Sequence, residues 1–295
     1  MEKGELRSNI KKLWRHLQYI LNIENEPRPI CLVLHLTSKC NLDCDFCYIK
    51  NRDRTHELDY DKLINFISVI KPKSVQLTGG EPTLYPKIDE LIYFLYANNC
   101  KIGMFTNGKE LWRCKFFGFL NWLRISINYY IDNDKEFVDP SNPKKLGYVY
   151  IKHENSPDGW EERINKFADS HSGSYLKVAP DINYLTTINP WLFRSFKVII
   201  QKTHSTKYYK GKCYMGFLKP YLNADGLVYP CINTVDPKTR IRDKSKAITT
   251  IDRPQDLLNF DVPYKEMNCK NCGLWDRNEF IKYIKKRRIE DEDFL

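Results

Sequence analysis

Between Cys31 and Pro180 the chain alternates short apolar runs with stretches of helical spacing, and this alternation restricts the fold more than any other feature. CLVLHL (31–36), SVQLT (74–78), KIGMFT (101–106), LRISIN (123–128), LGYVYIKH (146–153) and YLKVAP (175–180) read as strands. Leu63, Phe66, Ile67 and Ile70 share one helix face, with Asp59 as its cap. Ile88, Leu91, Ile92 and Leu95 share another, with Pro86 suited to its first turn. Helix-like apolar spacing continues to about Leu120, and a charged helix is expected over roughly 160–169. The segment YYIDNDKEFVDPSNPKK lacks a helix face and holds two prolines, which predicts a shortened or irregular crossover bordering a substrate. Strands alternating with helices give an α/β fold with a parallel sheet, whose ligands gather at the carboxyl ends of the strands. The segment TSKCNLDCDFCYIK (37–50), Gly79-Gly80, Asn107-Gly108 and Asn128 all fall at such ends.

Leu6, Ile10, Leu13, Trp14, Leu17, Ile20 and Leu21 form an amphipathic stripe with a basic opposite face, expected to pack on the domain that follows. No apolar run approaches the ~18–20 residues that span a bilayer. The N-terminus carries charges where a signal peptide would be apolar, so the cytoplasm is the expected location and no membrane partner is expected. In that compartment, 10 cysteines point to metal or redox chemistry rather than disulfides. The net charge of +10 suits nucleic acid, a phosphorylated substrate or an acidic protein, and equally a plain basic surface.

Cys40, Cys44 and Cys47 follow C-x3-C-x2-C spacing directly after a strand. Zinc sites more often combine pairs of cysteines into four ligands. Three thiolates on one tight loop suit three corners of a cubane iron–sulfur cluster, leaving one iron open to a small molecule. The loop resembles the C-x3-C-x-aromatic-C signature of the radical S-adenosylmethionine (SAM) superfamily, with Phe46 as the aromatic residue. TGGEP (78–82), at the end of the next strand, resembles that family's GGE motif.

The resemblance covers about residues 30–182 and implies a partial (βα)6 barrel. It implies that Cys40, Cys44 and Cys47 hold a [4Fe–4S] cluster whose open iron binds SAM. It further implies that Phe46 borders the adenine, that Gly79, Gly80 and Glu81 hold the methionine end, and that Ser126 and Asn128 contact ribose and carboxylate. The family often has Asp where this chain has Asn128, whose amide donates and accepts but carries no charge. The implied activity is reductive cleavage of SAM to a 5′-deoxyadenosyl radical that abstracts hydrogen from a substrate.

From about Asp181 the alternation ends, and the stretch to Lys212 reads as irregular. KPYL, a turn at Asn223-Ala224-Asp225-Gly226 and LVYPC form a candidate hairpin flanked by Cys213 and Cys231. Cys269-x2-Cys272 adds a pair on an expected short turn ending at Gly273. On spacing alone these four cysteines fit zinc as well as iron. Their pattern resembles the twitch domain, a shortened relative of the SPASM domain of radical SAM enzymes, and that resemblance implies an auxiliary [4Fe–4S] cluster acting as an electron conduit. The pattern resembles that of aminosugar alcohol dehydrogenases of the same superfamily. The expected organisation is an N-terminal amphipathic helix (1–29), the barrel (30–182), a linker (183–212), a twitch-like domain (213–275) and a charged C-terminal helix (276–295).

Cys31, Cys100, Cys114 and His35 read as core residues, whereas His153, Glu154 and Lys177 stand near late strand ends as candidates for proton transfer. The reading that follows is an oxidoreductase acting on a small polar or phosphorylated metabolite, with an acidic flavodoxin or ferredoxin as reductant. Peptide maturation and RNA modification are the alternatives within the family. A non-enzymatic iron–sulfur or zinc protein is the alternative outside it.

Overall fold

The computed structural model of the 295-residue chain describes residues 13–140, 143–181, 188–201, 207–236 and 238–291, with the backbone alone at 271 and 287–291. Leu6 and Ile10 of the N-terminal stripe, and 183–187 and 202–206 of the expected linker (183–212), lie outside them. Strands β1 (Cys31–His35), β2 (Ser74–Thr78), β3 (Lys101–Thr106), β4 (Trp122–Ser126), β5 (Leu146–Lys152) and β6 (Leu176–Pro180) pair in parallel, in chain order. Helices α1 (Tyr60–Ile70), α2 (Ile88–Ala97), α3 (Asn128–Asp132) and α4 (Trp160–Ser170) lie between these strands.

Each strand alternates between two faces. Leu32, Leu34, Val75, Leu77, Met104, Leu123, Ile125 and Val178 turn to the helix side, where they pack with Leu63, Phe66, Leu91 and Ile164 in one buried cluster. Each such side chain, fully buried, contributes about 1.5–3 kcal/mol. The alternate residues occupy the inner face, away from the helices. Asp59 caps α1 by accepting from the Lys62 amide at 2.9 Å. Asp59→Ala is therefore expected to cost about 0.5–2 kcal/mol, read from the urea midpoint.

Two segments depart from the sequence reading. A further parallel strand, β7 (Val198–Ile200), pairs with β6 inside the stretch read as irregular. It is too short to show a period. The stretch ending near Leu120 forms two 3-10 turns, Leu111–Arg113 and Phe117–Phe119, instead of a helix. Its aromatic residues pack sideways on α2, with the Tyr96 and Phe119 rings stacked 4.3 Å apart.

The expected hairpin is present as β9 (Tyr221–Leu222) and β10 (Leu227–Tyr229), with Gly226 at φ 81° in its turn, and the short strand β11 (Thr249–Thr250) pairs antiparallel with β10. It does not stand apart: β9 runs parallel to β1, Val33 opposite Tyr221, so the hairpin extends the main sheet. Two other strands, β8 (Lys207–Lys212), which like β7 lies in the stretch read as irregular, and β12 (Glu266–Cys272), form an antiparallel ribbon. Leu13, Ile20 and Ile23 bury their stripe against Phe217 and Ile281 of the C-terminal region, the latter on the helix Trp275–Asp291. Among the described residues, no helix is long and apolar enough to cross a membrane.

Candidate active site

The loop after β1 is stitched to its neighbours by backbone hydrogen bonds, Leu36 N–H to Thr78 O at 3.0 Å and Ser38 N–H to His56 O at 2.8 Å. It presents Cys40, Cys44 and Cys47 half-buried and free at the carboxyl end of the sheet. Burial, and then the neighbouring Cys40 and Cys47, push the Cys44 thiol up to about 12, so as a free thiol it stays protonated at neutral pH. Binding a metal group here must release protons. Among the described residues no three His, Cys, Asp or Glu side chains close around a single ion. Three thiols grouped on one loop suit a multi-iron cluster, whose ligands sit on separate irons.

Two residues that sequence reasoning missed donate towards these sulfurs. Arg52 Nη1 lies 3.6 Å from Cys47 Sγ, with its Nε bonded to Ser38 O at 2.9 Å. Asn107 Nδ2 lies 3.9 Å from Cys40 Sγ, with a 2.7 Å bond to Asn41 Oδ1. N–H donors favour the more negative state of a cluster. Arg52→Met is thus expected to move the reduction potential of a bound cluster to more negative values, measured by anaerobic EPR titration. An unchanged potential would contradict a role for this donor.

Gly79 and Gly80 owe their smallness to the cysteine loop itself. A Cβ on Gly80 would stand 2.2 Å from Lys39 O, and one on Gly79 would stand 2.7 Å from Thr37 O. The two segments are joined there by Gly80 N–H to Thr37 O at 2.7 Å and Glu81 N–H to Lys39 O at 2.8 Å. The Glu81 carboxylate is buried and engaged by the scaffold. Oε1 accepts from Thr106 Oγ1 at 2.6 Å and Thr83 Oγ1 at 2.8 Å, and Oε2 accepts from the Asn107 amide at 2.7 Å. Burial raises its pKa against the pull of those donors. Its side chain ties β2 to β3 and positions the glycine turn.

Asn128 is also built into the scaffold. Its Nδ2 donates to Ile151 O and its Oδ1 accepts from Ile151 N–H, both at 2.8 Å. That pairing needs a donor and an acceptor on one side chain, which an amide supplies and a carboxylate does not. Asn128→Asp should therefore destabilise the protein by about 1–3 kcal/mol, because the Ile151 carbonyl loses its donor. An unchanged urea midpoint would contradict this. Ser126 ends β4, half-buried on the inner face. Phe46 is half-buried, its ring 5.0 Å from that of His153. His153 Nε2 in turn meets Asp132 Oδ2 at 2.9 Å, and its Nδ1 is buried without a hydrogen-bond partner. Glu154 is exposed beyond β5, and Lys177 lies half-buried on the inner face of β6. Of the three proton-transfer candidates, His153 adjoins the cysteine loop, through its contact with Phe46.

Far along the chain, Cys213 follows β8, Cys231 follows β10, and Cys269 and Cys272 lie within β12 rather than on the short turn expected. The ribbon's register shifts between those two residues, which lets both thiols serve one side. Burial raises the Cys231 pKa above the ordinary thiol range, and Cys213, Cys269 and Cys272 are near enough to raise it further. Asn278, fully buried, holds this arrangement from the C-terminal helix: Oδ1 accepts from Tyr214 N–H at 2.8 Å, and Nδ2 lies 3.5 Å from Cys213 Sγ. Cys114 packs in the main core. Cys31 and Cys100 stand half-buried at the opposite, amino ends of their strands.

A parallel sheet with a three-thiol loop at its carboxyl rim defines a class of site, and the comparisons agree with it. Residues 34–145 match the model of the radical SAM superfamily, and the chain carries a domain of that superfamily. The family implies a [4Fe–4S] cluster and SAM. The chain is 23% identical over 197 residues to an S-adenosylmethionine-dependent nucleotide dehydratase of Thermoplasmatales archaeon (strain ISO4-H5), covering 65% of this chain and 64% of that protein. It is 24% identical to the sporulation killing factor maturation protein SkfB of Bacillus subtilis, over 85% of this chain and 71% of that one. Among solved structures, Streptococcus suis SuiB bound to its precursor peptide SuiA superposes with a TM-score of 0.54 at 16% identity, covering 88% of this chain and 70% of that one. That likeness is one of fold.

Proposed function

We propose that the chain is a radical SAM oxidoreductase that acts on a small polar substrate. The observation that carries this reading is the rim loop, in which Cys40, Cys44 and Cys47 stand free and half-buried beside the Gly79-Gly80 turn. When bound, the rim cluster and SAM supply a 5′-deoxyadenosyl radical, and an auxiliary cluster supplies an electron sink, so that a substrate loses a hydrogen atom, an electron and a proton. The residues divide the remaining work. Cys40, Cys44 and Cys47 hold the rim cluster, and Gly79 and Gly80 keep that loop seated and bring main chain close to the methionine end of SAM, with Glu81 fixing their turn. Phe46 borders the adenine, and Ser126 and Asn128 shape the ribose end. Cys213, Cys231, Cys269 and Cys272 give an auxiliary [4Fe–4S] group complete protein ligation, with zinc as the competing occupant of the same thiols.

The net charge of +10 suits an acidic flavodoxin or ferredoxin as electron donor. Peptide maturation is the second reading, favoured by the similarity to SkfB over 85% of this chain. Anaerobic incubation with SAM, dithionite and pooled small metabolites or peptides separates the two. Deoxyadenosine formation stimulated by a peptide and by no metabolite would overturn the first reading.

A further inference from the structure

The inner face beside β1 holds a buried group of polar side chains with donors left over. Tyr221 is its centre: its hydroxyl meets His35 Nδ1 at 2.5 Å and Tyr48 Oη at 3.1 Å. The Arg242 guanidinium lies over the Tyr221 ring at 4.1 Å and the Tyr229 ring at 5.1 Å. Arg242 Nη1 donates to Thr234 Oγ1 at 2.7 Å and to Ile232 O at 3.1 Å. Its Nε and Nη2, His35 Nε2 and the Tyr229 hydroxyl are buried without any hydrogen-bond partner. Exposure is 9% for Arg242, 1% for His35 and 0% for Tyr229, so solvent does not satisfy them. His35, read from sequence as a core residue, is indeed buried, with Nδ1 bonded to Tyr221 and Nε2 left without a hydrogen-bond partner.

An unpaired buried guanidinium is costly, and among the described residues no carboxylate forms an ion pair with Arg242. Burial, followed by the charges of Arg242 and Arg52, keeps His35 neutral. The direction of the His35–Tyr221 bond depends on the tautomer; where the Tyr221 hydroxyl donates to Nδ1, the neutral ring carries its proton on Nε2. The free groups are then donors: two guanidinium nitrogens, one imidazole N–H and one phenol. Donors of this kind around a cation match an oxyanion.

We propose that Arg242, His35 and Tyr229 form an oxyanion subsite on the inner face of the sheet, beside the cysteine loop, which takes the phosphate or carboxylate group of the substrate. The word substrate rests on the function proposed above, whereas the subsite itself does not. Tyr48, directly after Cys47, joins the subsite to that loop through Tyr221, which puts an anchored substrate next to the radical chemistry.

The test uses the full chain after anaerobic reconstitution, titrated separately with inorganic phosphate and acetate at constant ionic strength with chloride. A saturable rise in melting temperature with either anion is expected, since a ligand that binds only the folded state stabilises it. Phosphate alone would mark a phosphoryl group, and acetate alone a carboxylate. Arg242→Met should weaken the apparent affinity about tenfold or more. Tyr229→Phe is the milder second variant, which decides the matter if the first does not fold. It should raise the melting temperature without anion, by removing an unsatisfied hydroxyl, yet weaken anion binding. No saturable rise in the parent, or an unchanged midpoint in Tyr229→Phe, would overturn the subsite. Deoxyadenosine formation, measured on the same parent sample, keeps the two ideas apart. Anion binding without SAM cleavage would sink the enzyme reading alone, and cleavage without anion binding would sink the subsite alone.

Discussion

Gly80→Ala is expected to strip the rim of its iron and to lower deoxyadenosine formation by about 100-fold or more, the scale on which small displacements of reacting groups act. The new Cβ would meet Lys39 O at 2.2 Å, Lys39 C at 2.7 Å and Ser38 O at 2.7 Å. All three are backbone atoms, so no side chain can swing aside. The clash falls on the residues that lead into Cys40, and the bonds from Gly80 and Glu81 to Thr37 and Lys39 must lengthen with it. Gly118→Ala is the matching control, because nothing lies within 4 Å of a Cβ there. Iron content and deoxyadenosine yield of the two variants decide it. Full iron and activity in Gly80→Ala would mean that the contact does not position the cysteine loop.

Cys213→Ala is expected to halve the iron, from about eight to about four per chain, and to lower the melting temperature. Cys213 is buried in the second core among Tyr209, Met215, Phe217, Met267 and Ile281. A metal group held there fastens four parts of the chain at once: the end of β8, the end of β10, and two points on β12. Its loss leaves those elements with packing and the Asn278 bonds alone. If iron holds at about four in both proteins while zinc disappears from the variant, the C-terminal thiols bind zinc and the electron conduit is absent. Metal analysis with a melting curve on parent and variant checks both outcomes.

The sequence carried the frame of the site because its signals are local. Strand alternation, the spacing of Cys40, Cys44 and Cys47, and the Gly79-Gly80 pair each declare themselves within a few residues. What stayed hidden depends on partners far along the chain. Asn128 looks like a weakened carboxylate until Ile151, in the next strand, is seen to require both halves of its amide. Glu81 looks like a ligand contact until Thr83, Thr106 and Asn107 are found on its oxygens. Arg242 is one basic residue among 47 until the sheet extension through β9 brings Tyr221 and Tyr229 beneath it. The pairing of β9 with β1 joins residues nearly two hundred positions apart, which no periodicity can announce.

The most direct test of the central claim compares the parent with a variant in which Cys40, Cys44 and Cys47 are all changed to Ala. Iron, sulfide and zinc are measured after anaerobic reconstitution, together with 5′-deoxyadenosine formed from SAM and dithionite. The variant is expected to lose about four irons relative to the parent, with deoxyadenosine formed by the parent only. A parent fully loaded with iron that makes no deoxyadenosine would contradict it.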